Sequence, residues 1–151
     1  DANAMNTFAT KLKVIKNCGS GMGCLYTGDR RFLNGTIEVP SFDNAINGQF
    51  GKSILADGSM ILMNVVSSTC NETFGEGPLE NSVCAIISID INGAKGPNMN
   101  GRDYFYFWIT KTGVYPWGSY NDNNTCEPNV ATKEANAGCA AKVLTEGAMN
   151  Y

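Results

Sequence analysis

Asp90, Asn92, Asn98 and Asp103 fall within one glycine-rich stretch, Asp90-Ile91-Asn92-Gly93-Ala94-Lys95-Gly96-Pro97-Asn98-Met99-Asn100-Gly101-Arg102-Asp103. Carboxylate and amide oxygens at such short spacing are the hard ligands that calcium takes, and Gly93, Gly96 and Gly101 would let the backbone curl so that carbonyls complete a shell of about six to eight oxygens. The stretch is not an EF-hand loop. The third acidic or Asn position and the distant glutamate are absent, and Gly93 falls where that pattern has a variable residue. The same Asp and Asn side chains can instead cap turns by bonding their own backbone, and at the level of sequence both readings stand.

Other chemistries are excluded more firmly. The chain has no histidine, which removes the side chain most used for acid-base work near neutral pH and the commonest transition-metal ligand. Serine triads, Cys-His pairs and HExxH sites are therefore impossible. Gly48-Gln49-Phe50-Gly51-Lys52-Ser53 ends like a phosphate-binding loop, but the first glycine of that motif would fall on Ile46. The 14 acidic residues show no spacing that points to a shared glycosidase cleft, and no enzymatic activity is expected. With 11 basic against 14 acidic residues the chain also has no basic stripe for nucleic acid. Lys11, Lys13 and Lys16 form the densest basic run and read as a solvated helix face.

Tyr104, Tyr106, Trp108, Tyr115, Trp117 and Tyr120 cluster closely enough to stack on sugars. In a strand, however, Tyr104, Tyr106 and Trp108 share one face and Phe105, Phe107 and Ile109 the other. The Phe face is expected to be core, the Tyr/Trp face a second buried layer or an exposed contact surface. Asn-x-Thr triplets at Asn34, Asn71 and Asn123 are expected by chance in so Asn-rich a chain.

The six cysteines, Cys18, Cys24, Cys70, Cys84, Cys126 and Cys139, contain no CxxC pair. Zinc ribbons and thioredoxin-like sites need that spacing, so a disulfide framework made in an oxidising compartment is expected. The sequential pairing, Cys18 with Cys24, Cys70 with Cys84 and Cys126 with Cys139, is preferred because each pair brackets a Gly-, Asn- or Pro-rich stretch that can bend back. Each such loop is worth about 3 kcal/mol in the chain-entropy description.

The elements that must carry these residues follow from periodicity. A length of 151 residues suits one domain over 1–151. Met5, Phe8, Leu12 and Ile15 recur at intervals of three and four, predicting an amphipathic helix over 1–17 that Asn17, Cys18 and Gly19 stop. Because Asp1 has no capping residue ahead of it, that helix is expected to be the lower half of a longer one. An irregular, variable region spans 18–52, within which Gly19–Asn47 is turn-rich and Thr36–Val39 is a short strand ended by Pro40. Ser53–Leu55 and Ser59–Val66 predict a hairpin across Ala56-Asp57-Gly58, and Val83–Ile89 and Tyr104–Thr110 are the best strands. Thr112-Gly113 then turns into Val114 and Tyr115, completing a β-sheet region over 53–117 with about four or five strands. A disulfide-tied segment occupies 118–151. A helix followed by an antiparallel meander is an α+β arrangement.

The Asp-x-Asn-Gly turn at 90–93, Gly96-Pro97-Asn98, Gly101-Arg102-Asp103 and the aromatic strand Tyr104-Phe105-Tyr106-Phe107 together resemble bacterial type IV pilin-like and type II secretion pseudopilin proteins. Gly138-Cys139-Ala140-Ala141-Lys142-Val143-Leu144 and the closing Asn150-Tyr151 look like the ending of the same proteins, with Lys142 where relatives tend to carry an aromatic. The resemblance covers the last half by motif and the first helix by architecture. It implies a pilin-like fold and a structural subunit, anchored in the inner membrane by an apolar helix ahead of Asp1. Such a subunit packs helix against helix with other pilin or pseudopilin subunits into an extracellular or periplasmic filament. Some major pseudopilins hold calcium in a loop of the C-terminal half, which favours the calcium reading of Asp90, Asn92, Asn98 and Asp103 without fixing them as ligands, and no other cofactor is expected. A secreted carbohydrate- or surface-binding adhesin, using the Tyr/Trp face, is the alternative.

Overall fold

The computed structural model describes residues 2–46 and 48–151. Asp1 and Asn47, where the sequence reading begins its helix and ends its irregular stretch, lie outside the described residues. The protein is α+β, with an N-terminal helix on an antiparallel sheet of six strands and a small two-stranded sheet beside it. Among the described residues no helix is long and apolar enough to cross a membrane.

The first helix is shorter than its apolar periodicity predicts. α1 spans Ala2–Ala9, and residues 14–17, expected to complete the helix, instead lie in strand β1 (Val14–Gly19). The helix unwinds through tight bonds from the Lys11 amide to the Phe8 carbonyl at 3.0 Å and from the Val14 amide to the Leu12 carbonyl at 2.9 Å. The β-branched pair Val14-Ile15 is a poor helix former, and β1 gains an antiparallel partner in β4 (Gly51–Leu55), with Val14 opposite Leu55 and Gly19 opposite Lys52. Ile15, placed on the apolar stripe by sequence, is 68% exposed. Met5 is fully buried, and Phe8 and Leu12 pack beside it.

Region 18–52 is less irregular than expected. It holds the two-stranded sheet of β2 (Arg30–Arg31) and β3 (Ile37–Val39), the short helix α2 (Phe42–Ala45) and the start of β4. The hairpin across Ala56-Asp57-Gly58 joins β4 to β5 (Met60–Val65), and Asp57 closes it by accepting from the Ser59 amide at 2.9 Å and hydroxyl at 2.7 Å. β6 (Val83–Asp90), β7 (Tyr104–Thr110) and β8 (Val114–Pro116) complete the sheet in the order β1-β4-β5-β6-β7-β8. The segment 118–151 carries two helices that sequence did not predict, α3 (Lys133–Ala137) and α4 (Cys139–Glu146).

The sheet is buried on both faces, as the alternation along β5 shows. Met60 and Leu62 enter one cluster with Tyr104, Tyr106 and Trp108, while Ile61 and Met63 enter another with Met5 of α1. Burial therefore reverses the expected ranking of the β7 faces. Tyr104, Tyr106 and Trp108 are 1–4% exposed and form the larger core, whereas on the other face Phe105 is buried in a small cluster with Cys139 and Ala140 of α4 and Phe107 and Ile109 are only partly buried. The Tyr/Trp face carries the thicker cover, from α2, the 18–26 loop and the C-terminal segment.

The three disulfides join Cys18 to Cys24, Cys70 to Cys84 and Cys126 to Cys139, the sequential pattern.

Candidate functional site

The segment 90–103 bridges β6 to β7 and is closed at its base by the Ile91 amide on the Asp103 carbonyl at 2.8 Å. All four sequence candidates lie on it, and the structure gives them unequal roles. Asp103 is buried, and its carboxylate accepts from the Asn98 amide at 2.8 Å, the Asn92 side-chain nitrogen at 3.0 Å and the Met99 amide at 2.5 Å. Asn98 takes a left-handed φ of 52°. The orientation that satisfies both ends of its side-chain amide aims the nitrogen at the carbonyls of Lys95 and Gly93, at 3.1 and 3.2 Å. Asp103 and Asn98 thus hold the loop's own backbone.

Asp90 and Asn92 retain unspent oxygens. Asp90 is 1% exposed and accepts from the Asn92 amide at 3.2 Å through Oδ1, while its Oδ2 and the Asn92 Oδ1 are buried without a partner among the described residues. Burial, and then the neighbouring Asp103 charge, push the Asp90 carboxyl up to about 7. Two residues apart, these oxygens offer a cation or a proton something to bind. They supply only part of calcium's usual shell, and no group of three or more Cys, Asp and Glu side chains converges among the described residues. A calcium here would rest on Asp90, Asn92 and loop carbonyls, with Asp103 shaping the loop from behind. Gly93, at φ 63°, lies so close to the Gly58 carbonyl that a Cβ would collide with it, which seats the loop against the β4–β5 turn.

A second polar centre adjoins this loop, and sequence spacing gave no sign of it. Arg30 of β2, 6% exposed, directs Nε and Nη2 to Glu38 of β3 at 2.9 and 3.1 Å. Its guanidinium lies 4.5 Å from the ring centre of Phe42 and 4.6 Å from that of Tyr104. Asn100 links the two centres by donating to Glu38 and accepting from the Tyr106 hydroxyl at 3.2 Å. Backbone bonds between Arg31 and residues 98 and 100, at 3.0 and 2.9 Å, dock the loop on β2. From the opposite side Lys133, at the start of α3, places Nζ 5.4 Å from the Tyr106 ring centre and 5.3 Å from that of Trp117. Thr132 caps that helix by accepting from the Ala135 amide at 3.3 Å. Between the two cations lies a cavity of about 90 Å³. β2 and β3 have two and three residues, too short for periodicity to reveal, and Lys133 arrives from the far end of the chain.

Lys52, the lysine of the failed phosphate-loop match, is fully buried in β4 and bonds the Asp43 carboxylate at 3.0 Å. It has no freedom to meet a phosphate. Tyr104, Tyr106 and Trp108 are interior, in a stack that runs through Trp117, whose ring centre is 4.6 Å from Trp108 and 4.7 Å from Tyr106. No family model, curated protein or solved structure matches the chain.

Proposed function

We propose that the protein is a structural subunit of a type IV pilus-like or type II secretion pseudopilus-like filament. The observation that carries this reading is the packing of α1 across one face of a continuous antiparallel sheet, with Met5 fully buried on β5 and β6. The motif-bearing loop 90–103 closes the same sheet at the turn between β6 and β7. Three local disulfides are compatible with an extracellular or periplasmic location. The adhesin alternative loses its stacking platform, because the Tyr/Trp face that would contact a sugar is interior.

The test is cellular. Surface filaments sheared from the native host and probed with an antibody to this domain should contain the chain in its oxidised form. Recovery solely as a freely released monomer would refute the proposal.

A further inference from the structure

We infer that the cavity between Arg30 and Lys133 is a receptor for a single carboxylate carried on a short aliphatic stem. The two charged residues that line it are both cations. Glu38 is ion-paired with Arg30, and Glu134 stands next to Lys133 in sequence without an ion pair to it among the described residues, so one of the two lining cations is unpaired. Lys133 forms no ion pair among the described residues, and its ammonium rests on the Tyr106 and Trp117 rings. The residue as a whole is exposed, so it forms the mouth. Burial against the rings, and then the Arg30 charge, pull this ammonium below the usual lysine range, a cost that a bound anion would relieve.

Donor count and charge select the anion. Arg30 spends Nε and Nη2 on Glu38, and Nη1 has no hydrogen bond among the described residues. Nη1 and the Lys133 ammonium are two donors for the two oxygens of a carboxylate. One residual positive charge balances a monoanion and not a doubly charged phosphate. Asn64 and Ser88 are further polar groups on the wall, and the part formed by Phe42, Ile46, Leu62 and Ile86 is apolar and suits a hydrocarbon stem. A volume of about 90 Å³ holds several waters on the scale where one needs roughly 10–15 Å³, so the site admits a group the size of propionate and excludes nucleotides and sugars. Such a carboxylate comes either from a free short-chain acid or from an acidic side chain presented by another protein.

The probe is sodium propionate, titrated into the folded domain at constant ionic strength against sodium chloride. Trp117 touches Lys133, so indole fluorescence reports occupancy. A saturable fluorescence change with a rise in melting temperature is expected, and propionamide, uncharged but of the same shape, should give neither. Lys133→Gln, at the exposed mouth, should keep the far-UV circular dichroism and weaken binding about tenfold or more, and Lys133→Arg should retain it. A response to propionate and also to N-acetyl-glutamate methylamide assigns a protein side chain as an admissible source, whereas a response to propionate alone assigns a free acid. No saturable response, an equal response to propionamide, undiminished binding by Lys133→Gln or tighter binding of phosphate would each overturn the inference.

Discussion

Asp90 sits in an environment far from its chemistry in water. Its carboxyl, ordinarily near 3.8, is raised to about 7 by burial and by Asp103, so the folded chain holds the proton more tightly than the unfolded chain. The resulting stabilisation is complete below the unfolded value and is lost as pH rises through the folded one. In chelator, the melting temperature should therefore fall by several degrees between pH 5 and pH 8, and Asp90→Asn should flatten that slope. A cation competes with the proton for the same oxygen, so millimolar calcium should raise the melting temperature at pH 8 more than at pH 5. An identical profile with calcium and with chelator would mean that a proton alone serves the loop. At Asp43 and Lys52 the logic is that of a buried pair, since among the described residues the Lys52 ammonium bonds the Asp43 carboxylate alone. Asp43→Ala should cost about 3–5 kcal/mol in chemical denaturation by stranding the ammonium, and a double variant with Lys52→Met should recover part of the loss.

At the scale of elements, the N-terminal segment shows how pairing overrides periodicity. Met5, Phe8 and Leu12 do face the sheet, so the apolar spacing was read correctly for the helix and for the turn after it. Beyond the turn, an edge strand for β4 outweighed two further turns of helix, because β4 would otherwise present unpaired backbone groups along that side. Met5 is the anchor of α1, and Met5→Ala should destabilise the domain by about 2–5 kcal/mol through the lost contacts and the void left behind. Equilibrium denaturation checks this, and a loss below 1 kcal/mol would mean that α1 is not held by its apolar face. On β7 the alternation was legible and the depth was not. Which face lies deeper depends on what covers each, and the cover of the Tyr/Trp face comes from α2 and the C-terminal segment.

Across the whole molecule, one buried amide helps to fasten the C-terminal segment, beside the Ala141 amide on the Trp117 carbonyl and the Tyr151 hydroxyl on the Gly101 carbonyl. Asn136 is fully buried; its Oδ1 accepts from the Leu33 amide at 2.6 Å, and its nitrogen donates to the carbonyls of Val130 and Glu127 at 2.8 and 3.3 Å. Asn136→Ala should cost about 1–3 kcal/mol by leaving the Leu33 amide without its acceptor, and hydrogen exchange at Leu33 should accelerate with it. The same segment is looped by the Cys126–Cys139 bridge, and peptide mapping of a non-reducing digest should recover all three local bridges. A bridge between Cys18 and Cys139 would contradict the fold. By itself, the sequence determined the features whose causes are local. The Asp-Gly hairpin, the alternating strands β5 to β7, the pairing of cysteines across bendable loops and the absence of histidine chemistry each rest on a few neighbouring residues. Only the tertiary structure decided β1, the deeper face of β7, the division of labour among Asp90, Asn92, Asn98 and Asp103, and the meeting of Arg30, Glu38 and Lys133. The reason is physical: burial, charge stranding and edge pairing are set by groups distant in sequence, and a side chain's chemistry in the fold depends on which of them reach it.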